Sequence, residues 1–321
     1  MRIRQHQADD TMQSMMYSNA IINGGCLIAQ KTAAAPSLST TSQYGKVDRF
    51  RVHATGTAVS AGTIAQITSS TAGTTGYALH VSGATITGTG IVLVKHRIEA
   101  KNALAFKNLI ASFACKVYHD VGSTMTYTIT IRKATVADNF TAVTDISSTT
   151  KTAANTTATT IALEGVSMGD CSNGIEIEIS VACGAITTKN FHYTEFQFNR
   201  GYKALAFIPK SYNTELVECR RYFQVWVTPH VMGDTTGATT VVNRLGMPIP
   251  EMRVAPTVTW GAINLYDGGV ATTLSTVSTS YHTTTTIEID GTSAAAFTAG
   301  GRPIVGYSGA SSATVICDAE L

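Results

Sequence analysis

The feature that most constrains this chain is a two-residue rhythm of apolar and polar side chains. In Met125-Thr126-Tyr127-Thr128-Ile129-Thr130-Ile131-Arg132 the odd positions are apolar and the even ones polar. In Ile175-Glu176-Ile177-Glu178-Ile179 the same alternation sets both glutamates opposite the isoleucines. A period of two belongs to a β-strand with one buried and one wetted face. It recurs over Val47–His53, Ile91–Glu99, Gly174–Ala182 and Phe191–Asn199, with Gly, Thr and Ser between and no amphipathic helix intervening. Such a series describes an all-β, antiparallel sandwich rather than an α/β fold.

Composition agrees. Threonine fills 50 of 321 positions, and its β-branched side chain suits a pleated, half-wetted surface. The hydrophobic fraction of 44% suffices for a core, which excludes wholesale disorder. A net charge of +2 with only 14% charged residues argues against a protein that coats nucleic acid. The most apolar stretch, Ala103 to Tyr118, is broken by Lys107, Asn108 and Lys116, so no membrane insertion is expected. The basic start, Met1 to His6, is followed by no apolar segment, and synthesis and folding in a cytoplasm are expected. Cys26, Cys115, Cys171, Cys183, Cys219 and Cys317 lie far apart without a C-x-x-C pair. The expectation is reduced, buried thiols and no metal site or cofactor.

The chain divides into four parts. Residues 1–19 form an arm in which Asp9-Asp10-Thr11 would cap a short helix. Met12, Met15 and Met16 share one face of it, too short to stand alone and therefore expected to dock as an anchor. Residues 20–207 carry the sandwich, within which Ser147–Thr160 reads as a long loop or polar hairpin. Residues 208–224 form a linker with a short helix, capped by Asn213 or Thr214, with Leu216, Cys219 and Tyr222 or Phe223 inward. Residues 225–321 form a smaller β domain whose Pro248, Pro250 and Pro256 mark strand starts or edges.

Five stretches together carry a resemblance. They are Asn23-Gly24-Gly25-Cys26-Leu27-Ile28-Ala29-Gln30-Lys31 with Tyr44-Gly45-Lys46-Val47-Asp48-Arg49-Phe50; Lys95-His96-Arg97-Ile98-Glu99; Asn213 through Phe223; Pro250 through Thr259; and the closing Cys317-Asp318-Ala319-Glu320-Leu321. In this order they resemble bacteriophage virion fibre proteins with a carbohydrate-binding-module-like jelly roll and a small C-terminal β domain. The resemblance implies a jelly-roll sandwich, a homotrimer, and a place on the tail or capsid surface. Residues 1–19 would hold other virion proteins, and the sandwich would hold a host surface glycan. A head fibre or capsid decoration protein is the alternative role, and a polysaccharide depolymerase a lesser one. Phe50 stands where the family commonly has tryptophan.

Sugar sites combine aromatic faces with planar polar groups. The expected carbohydrate-binding residues are Lys95, Arg97 and Glu99 on one strand, Glu176 and Glu178 on a second, and Tyr193, Glu195 and Gln197 on a third, brought together on one sheet. The plainer reading makes them cross-strand ion pairs, each contributing a few tenths of a kcal/mol. Glu176 and Glu178 stand roughly 6.5–7 Å apart at Cα, a spacing compatible with a glycosidase pair yet offered by every Glu-x-Glu strand. No nucleophile elbow, nucleotide loop or calcium loop is present, and His119-Asp120 precedes a turn, so no catalytic residue is expected. Trp226 and Trp260, with Val225 and Val227, are expected in core or oligomer-interface packing.

Overall fold

The computed structural model describes residues 19–31, 34–68, 73–227, 231–235, 243–261, 264–267, 270–293, 303–307 and 314–321. They form two units: residues up to Leu216 together with Leu321, and Val217–Glu320. Met12, Met15 and Met16 lie outside the described residues.

The alternating segments of the first unit pair into two antiparallel sheets of a jelly-roll sandwich. One sheet has six strands, in the order β1 (Gln43–Tyr44), β2 (Phe50–Thr55), β5 (Ile91–Ile98), β10 (Ile175–Ala182), β7 (Met125–Val136) and β8 (Asn139–Ala153). The other has five: β3 (Ala58–Thr68), β4 (Tyr77–Thr87), β11 (Ile186–Arg200), β6 (Ile110–His119) and β9 (Thr159–Ser167). The inward residues make one core, with Phe50, Val94, Ile129 and Ile177 from the first sheet and Phe113, Val117, Phe191 and Phe196 from the second. The Phe50 and Phe196 rings meet at 4.4 Å. Burying each such side chain contributes about 1.5–3 kcal/mol, which fixes the register of every strand that carries one.

Two local expectations change. Ser147–Thr160 is no long loop: it completes β8, turns at Asn155-Thr156 and enters β9. Thr126, Thr128 and Thr130 of β7 face Thr152, Thr150 and Ser148 of β8. Hydroxyl residues form a good edge strand without any apolar alternation to announce it. The short helix appears as α2 (Tyr212–Arg220), following α1 (Ala100–Ala103). Its cap is Ser211, whose hydroxyl accepts from the Thr214 N–H at 3.2 Å. Glu215 and Cys219 are its buried residues, while Leu216 is half-buried; Tyr222 and Phe223 are both buried.

In the second unit, β12 (Phe223–Val227), β20 (Thr314–Asp318) and β15 (Thr257–Trp260) form a three-stranded sheet. A closed barrel runs β13 (Val231–Thr235), β14 (Asn243–Pro248), β18 (Thr286–Ser293), β17 (Val270–His282), β16 (Asn264–Asp267) and β19 (Pro303–Tyr307). Pro248 ends β14 and Pro256 immediately precedes β15. Trp226 and Trp260 pack, partly buried, on a small core that includes Met247, Met252, Ile287 and Cys317. Their indole N–H groups donate to Gln224 and Thr279. Val225 is half-buried and Val227 is 56% exposed. All six cysteines are free and buried. Among the described residues, no helix is long and apolar enough to cross a membrane.

Candidate functional site

The sandwich presents two outer faces built from different chemistry. On the six-stranded sheet, the unbroken register of β10 sets Glu176 between Arg97 and Arg132, and Glu178 between Lys95 and Thr130. Lys95 reaches both glutamates, at 3.1 and 3.0 Å. Arg97 meets Glu176 at 2.8 Å, and Arg132 meets Glu178 at 2.8 Å and Asp145 at 2.7 Å. Arg97 also donates to the Leu321 oxygen at 2.8 Å and lies over the Phe140 ring. Glu176 is 1% exposed, so three cations enclose it. Burial would raise the Glu178 carboxyl, yet the Arg132 hydrogen bond and the Lys95 charge hold it below the ordinary value. The expected residues Lys95, Arg97, Glu176 and Glu178 thus do come together, bonded to one another.

Glu99, Tyr193, Glu195 and Gln197 do not join them, the last three because β11 lies in the other sheet. β5 ends at Ile98, and Glu99 turns into the start of α1, buried, with its main-chain oxygen accepting from Asn102 and Ala103. Tyr193 faces the core, fully buried beside Tyr127. The expectation that Tyr193, Glu195 and Gln197 share a face fails at a bulge. Opposite β6, Thr194 pairs with Lys116 but Gln197 with Ala114, so β11 carries one extra residue there. Glu195 takes it up with φ +51°, in the left-handed region that costs a non-glycine residue energy. The phase flips: Tyr193, Phe196 and Phe198 point inward, while Gln197 belongs to the outer face.

That flip builds a cleft of about 300 Å³ on the outer face of the five-stranded sheet. Its floor is Ala114, Lys116 and Gln197, and its side includes Thr160 and Thr74. Its wall is the segment Leu205-Ala206-Phe207. Phe207 is held over Gly24-Gly25: a Cβ on Gly24 or Gly25 would stand 3.2 or 3.1 Å from its ring, and one on Gly24 would also stand 2.3 Å from the Phe196 oxygen. Only glycine permits that approach. Glu195 accepts from the Thr74 N–H and hydroxyl, both at 2.6 Å, and from Lys116 at 2.7 Å. Burial would raise its carboxyl, but the Lys116 and Thr74 hydrogen bonds keep it lowered and ionised. Gln197 is 3% exposed, and its carboxamide has no hydrogen-bond partner among the described residues.

Further along the same strands lies a ring row missed in the sequence. His192 stacks on Tyr118 with centroids 4.8 Å apart and meets His80 edge-on at 4.6 Å. Burial, then the neighbouring His80, pushes His192 down to about 4, against the opposing pull of Asp120. The three rings sit on β4, β11 and β6 at directly paired positions. Only the strand register brings them together, so no local signal announces them.

Several stretches that carry the family resemblance meet in a buried polar clasp. The Asn23 side chain donates to the main-chain oxygens of Ile28 and Asp48, at 2.8 and 3.1 Å, and its N–H donates to Glu215 at 2.6 Å. Arg49 donates to the Arg97 oxygen at 2.8 Å, and neutral His96 lies 3.3 Å from the Ile22 oxygen. These residues hold loops and the start of α2 against the sandwich, a structural duty. Among the described residues, no group of three or more His, Cys, Asp or Glu is placed to hold a metal ion.

No known family profile and no curated protein matches this sequence. Among solved structures, TmCBM61 in complex with β-1,4-galactotriose is similar at 10% identity, covering 57% of this chain and 99% of that one, with a TM-score of 0.35. The C-terminal family 22 carbohydrate-binding module of Clostridium thermocellum Xyn10B is similar at 12% identity, covering 49% and 88%, with a TM-score of 0.30. A family 11 module from Clostridium thermocellum, in complex with a mixed-linked tetrasaccharide, is similar at 15% identity, covering 54% and 99%, with a TM-score of 0.30. Likenesses this faint carry no argument of their own.

Proposed function

We propose that this protein binds a glycan, without cleaving it, in the cleft on the outer face of the five-stranded sheet. The observation that carries the reading is Gln197: a side chain lining the cleft whose carboxamide has no bond among the described residues, beside an oriented Lys116–Glu195 pair and an apolar wall. Two or three oriented polar groups against an apolar surface are what a sugar requires. Glu195 and Gln197 belong to the residues expected from sequence, while Lys116 and Phe207 join them. The ionic face supports binding over hydrolysis. A glycosidase acid stays protonated, whereas Glu176 and Glu178 both lie 2.8–3.1 Å from cations, an arrangement that favours carboxylates.

The sequence resemblance supports the finer reading: a homotrimeric fibre on the surface of a tailed phage, with tail attachment preferred over a capsid position. Three weak sites on one trimer would reinforce one another through effective concentration. Exposed Val227 and the β12–β15 surface are the proposed trimer contact. A glycan array probed with the full-length protein tests the binding reading. Saturable binding to one glycan class is expected, and no binding to any class overturns it. Labelled antibody on intact particles tests position, with tail decoration expected and head decoration pointing to a head fibre.

A further inference from the structure

We infer that the cleft selects an N-acetylated aminosugar over the corresponding unsubstituted sugar, an inference that rests on the glycan reading above. The argument is the pairing of one unused amide with one apolar wall. A carboxamide offers one acceptor and two N–H donors in a plane, and an acetamido group offers one donor and one acceptor in a plane. Gln197 therefore meets an acetamide reciprocally, each amide donating to the other's oxygen. The methyl that an acetamido group carries needs an apolar neighbour, and Leu205, Phe207 and Ala114 line the same cleft.

The competing ligands fit less of this surface. An unsubstituted hexose can bond to Gln197 through hydroxyls, but it then turns polar groups toward Leu205 and Phe207, which cannot bond to them. An acidic sugar meets the ionised Glu195, and a free aminosugar meets Lys116; both are already fixed 2.7 Å from each other. The remaining Lys116 N–H donors and the Glu195 lone pairs serve ring hydroxyls. A volume of about 300 Å³ sits at the small end of ligand pockets, suited to one residue of a longer chain. The Gln197 carboxamide has no protein partner to give up, so a ligand that pairs it gains that bond without breaking one.

Calorimetry on the full-length protein tests this with matched sugars: N,N′-diacetylchitobiose against cellobiose, and N-acetylgalactosamine against galactose. In at least one pair the acetylated sugar is expected to bind about 10-fold more tightly than its partner, the scale of one added hydrogen bond. Gln197→Leu should erase that preference, bringing both sugars of a pair to one similar affinity below that of the acetylated sugar for the native protein. Gln197→Glu, a second variant of similar size, keeps the acceptor for the acetamide N–H but loses the donor to its oxygen, and should reduce the preference if the leucine variant fails to fold. Equal binding within both pairs, or a preference that survives both substitutions, overturns the N-acetyl inference and leaves the glycan reading intact. Absence of binding by all four sugars, with no other glycan class bound on the array, overturns both.

Discussion

The two outer faces of the sandwich carry similar residues and use them differently. On the six-stranded face, Lys95, Arg97, Arg132, Glu176, Glu178 and Asp145 bond one another. On the five-stranded face, the Lys116–Glu195 pair is equally tight, but the Gln197 carboxamide beside it has no bond among the described residues and an apolar strap borders both. Charge on a strand therefore does not mark a site; unused bonding capacity beside apolar surface does.

The largest effect should separate the faces by stability. Arg132→Ala leaves Glu176 and Glu178 with fewer cations around nearly buried carboxylates. It should cost about 2–3 kcal/mol, allowing for the partial exposure of the arginine. Thermal unfolding should register it, and glycan binding at 20 °C should be unchanged. A stable variant that cannot bind would move the site to the six-stranded face. Next in size, Lys116→Met should weaken glycan binding about 10-fold, equivalent to roughly 1.4 kcal/mol, and lower the melting temperature less than Arg132→Ala does, because Glu195 keeps its two Thr74 bonds. Calorimetry and a melting curve on one preparation distinguish the two outcomes.

Acid should reach the faces in sequence. His192 has a folded value of about 4, below its ordinary 6.5, so the unfolded chain takes up that proton first. Its stabilising contribution is complete above pH 6.5 and drains away between 6.5 and about 4. Glu178 is lowered from 4.5, so its contribution is complete above that value and disappears as pH falls further. His192→Gln should therefore reduce the loss of stability between pH 6.5 and 4, with His53 and His96 sustaining part of it, and leave the steeper fall below 4.5. Denaturant midpoints measured across pH 3–7 check this; an unchanged upper slope would sink the assignment. Smallest of all, Lys203→Ala removes an ion pair with Glu164 from an exposed rim and should change stability by less than about 0.5 kcal/mol.

Much of the fold was legible because burial imposes period two. The β7, β10 and β5 segments read from alternation are strands, and Glu176 and Glu178 do face away from the isoleucines. The ionic face was half-legible: Lys95, Arg97, Glu176 and Glu178 are present in the pattern, but Arg132 and Asp145 join through cross-strand register. The cleft was least legible. Its floor depends on one extra residue at Glu195, which inverts the faces of Tyr193 and Gln197. The sequence marks it only by a shift of the apolar positions from odd (Phe191, Tyr193) to even (Phe196, Phe198) across Thr194-Glu195, which a reading of one unbroken alternating strand passes over. Gly24-Gly25 was visible as a motif, but the close neighbours that require glycine there, the Phe196 oxygen and the Phe207 ring, come from segments about 170 to 180 residues away.

The most direct test of the central claim is hydrogen–deuterium exchange of the full-length protein with and without a glycan bound on the array. Protection is predicted in the turn at residues 73–76, the bulged part of β11 and the strap at 203–207, which frame the cleft. Protection confined to residues 91–98 and 175–180, with the strap unchanged, would place the ligand on the ionic face and contradict the account.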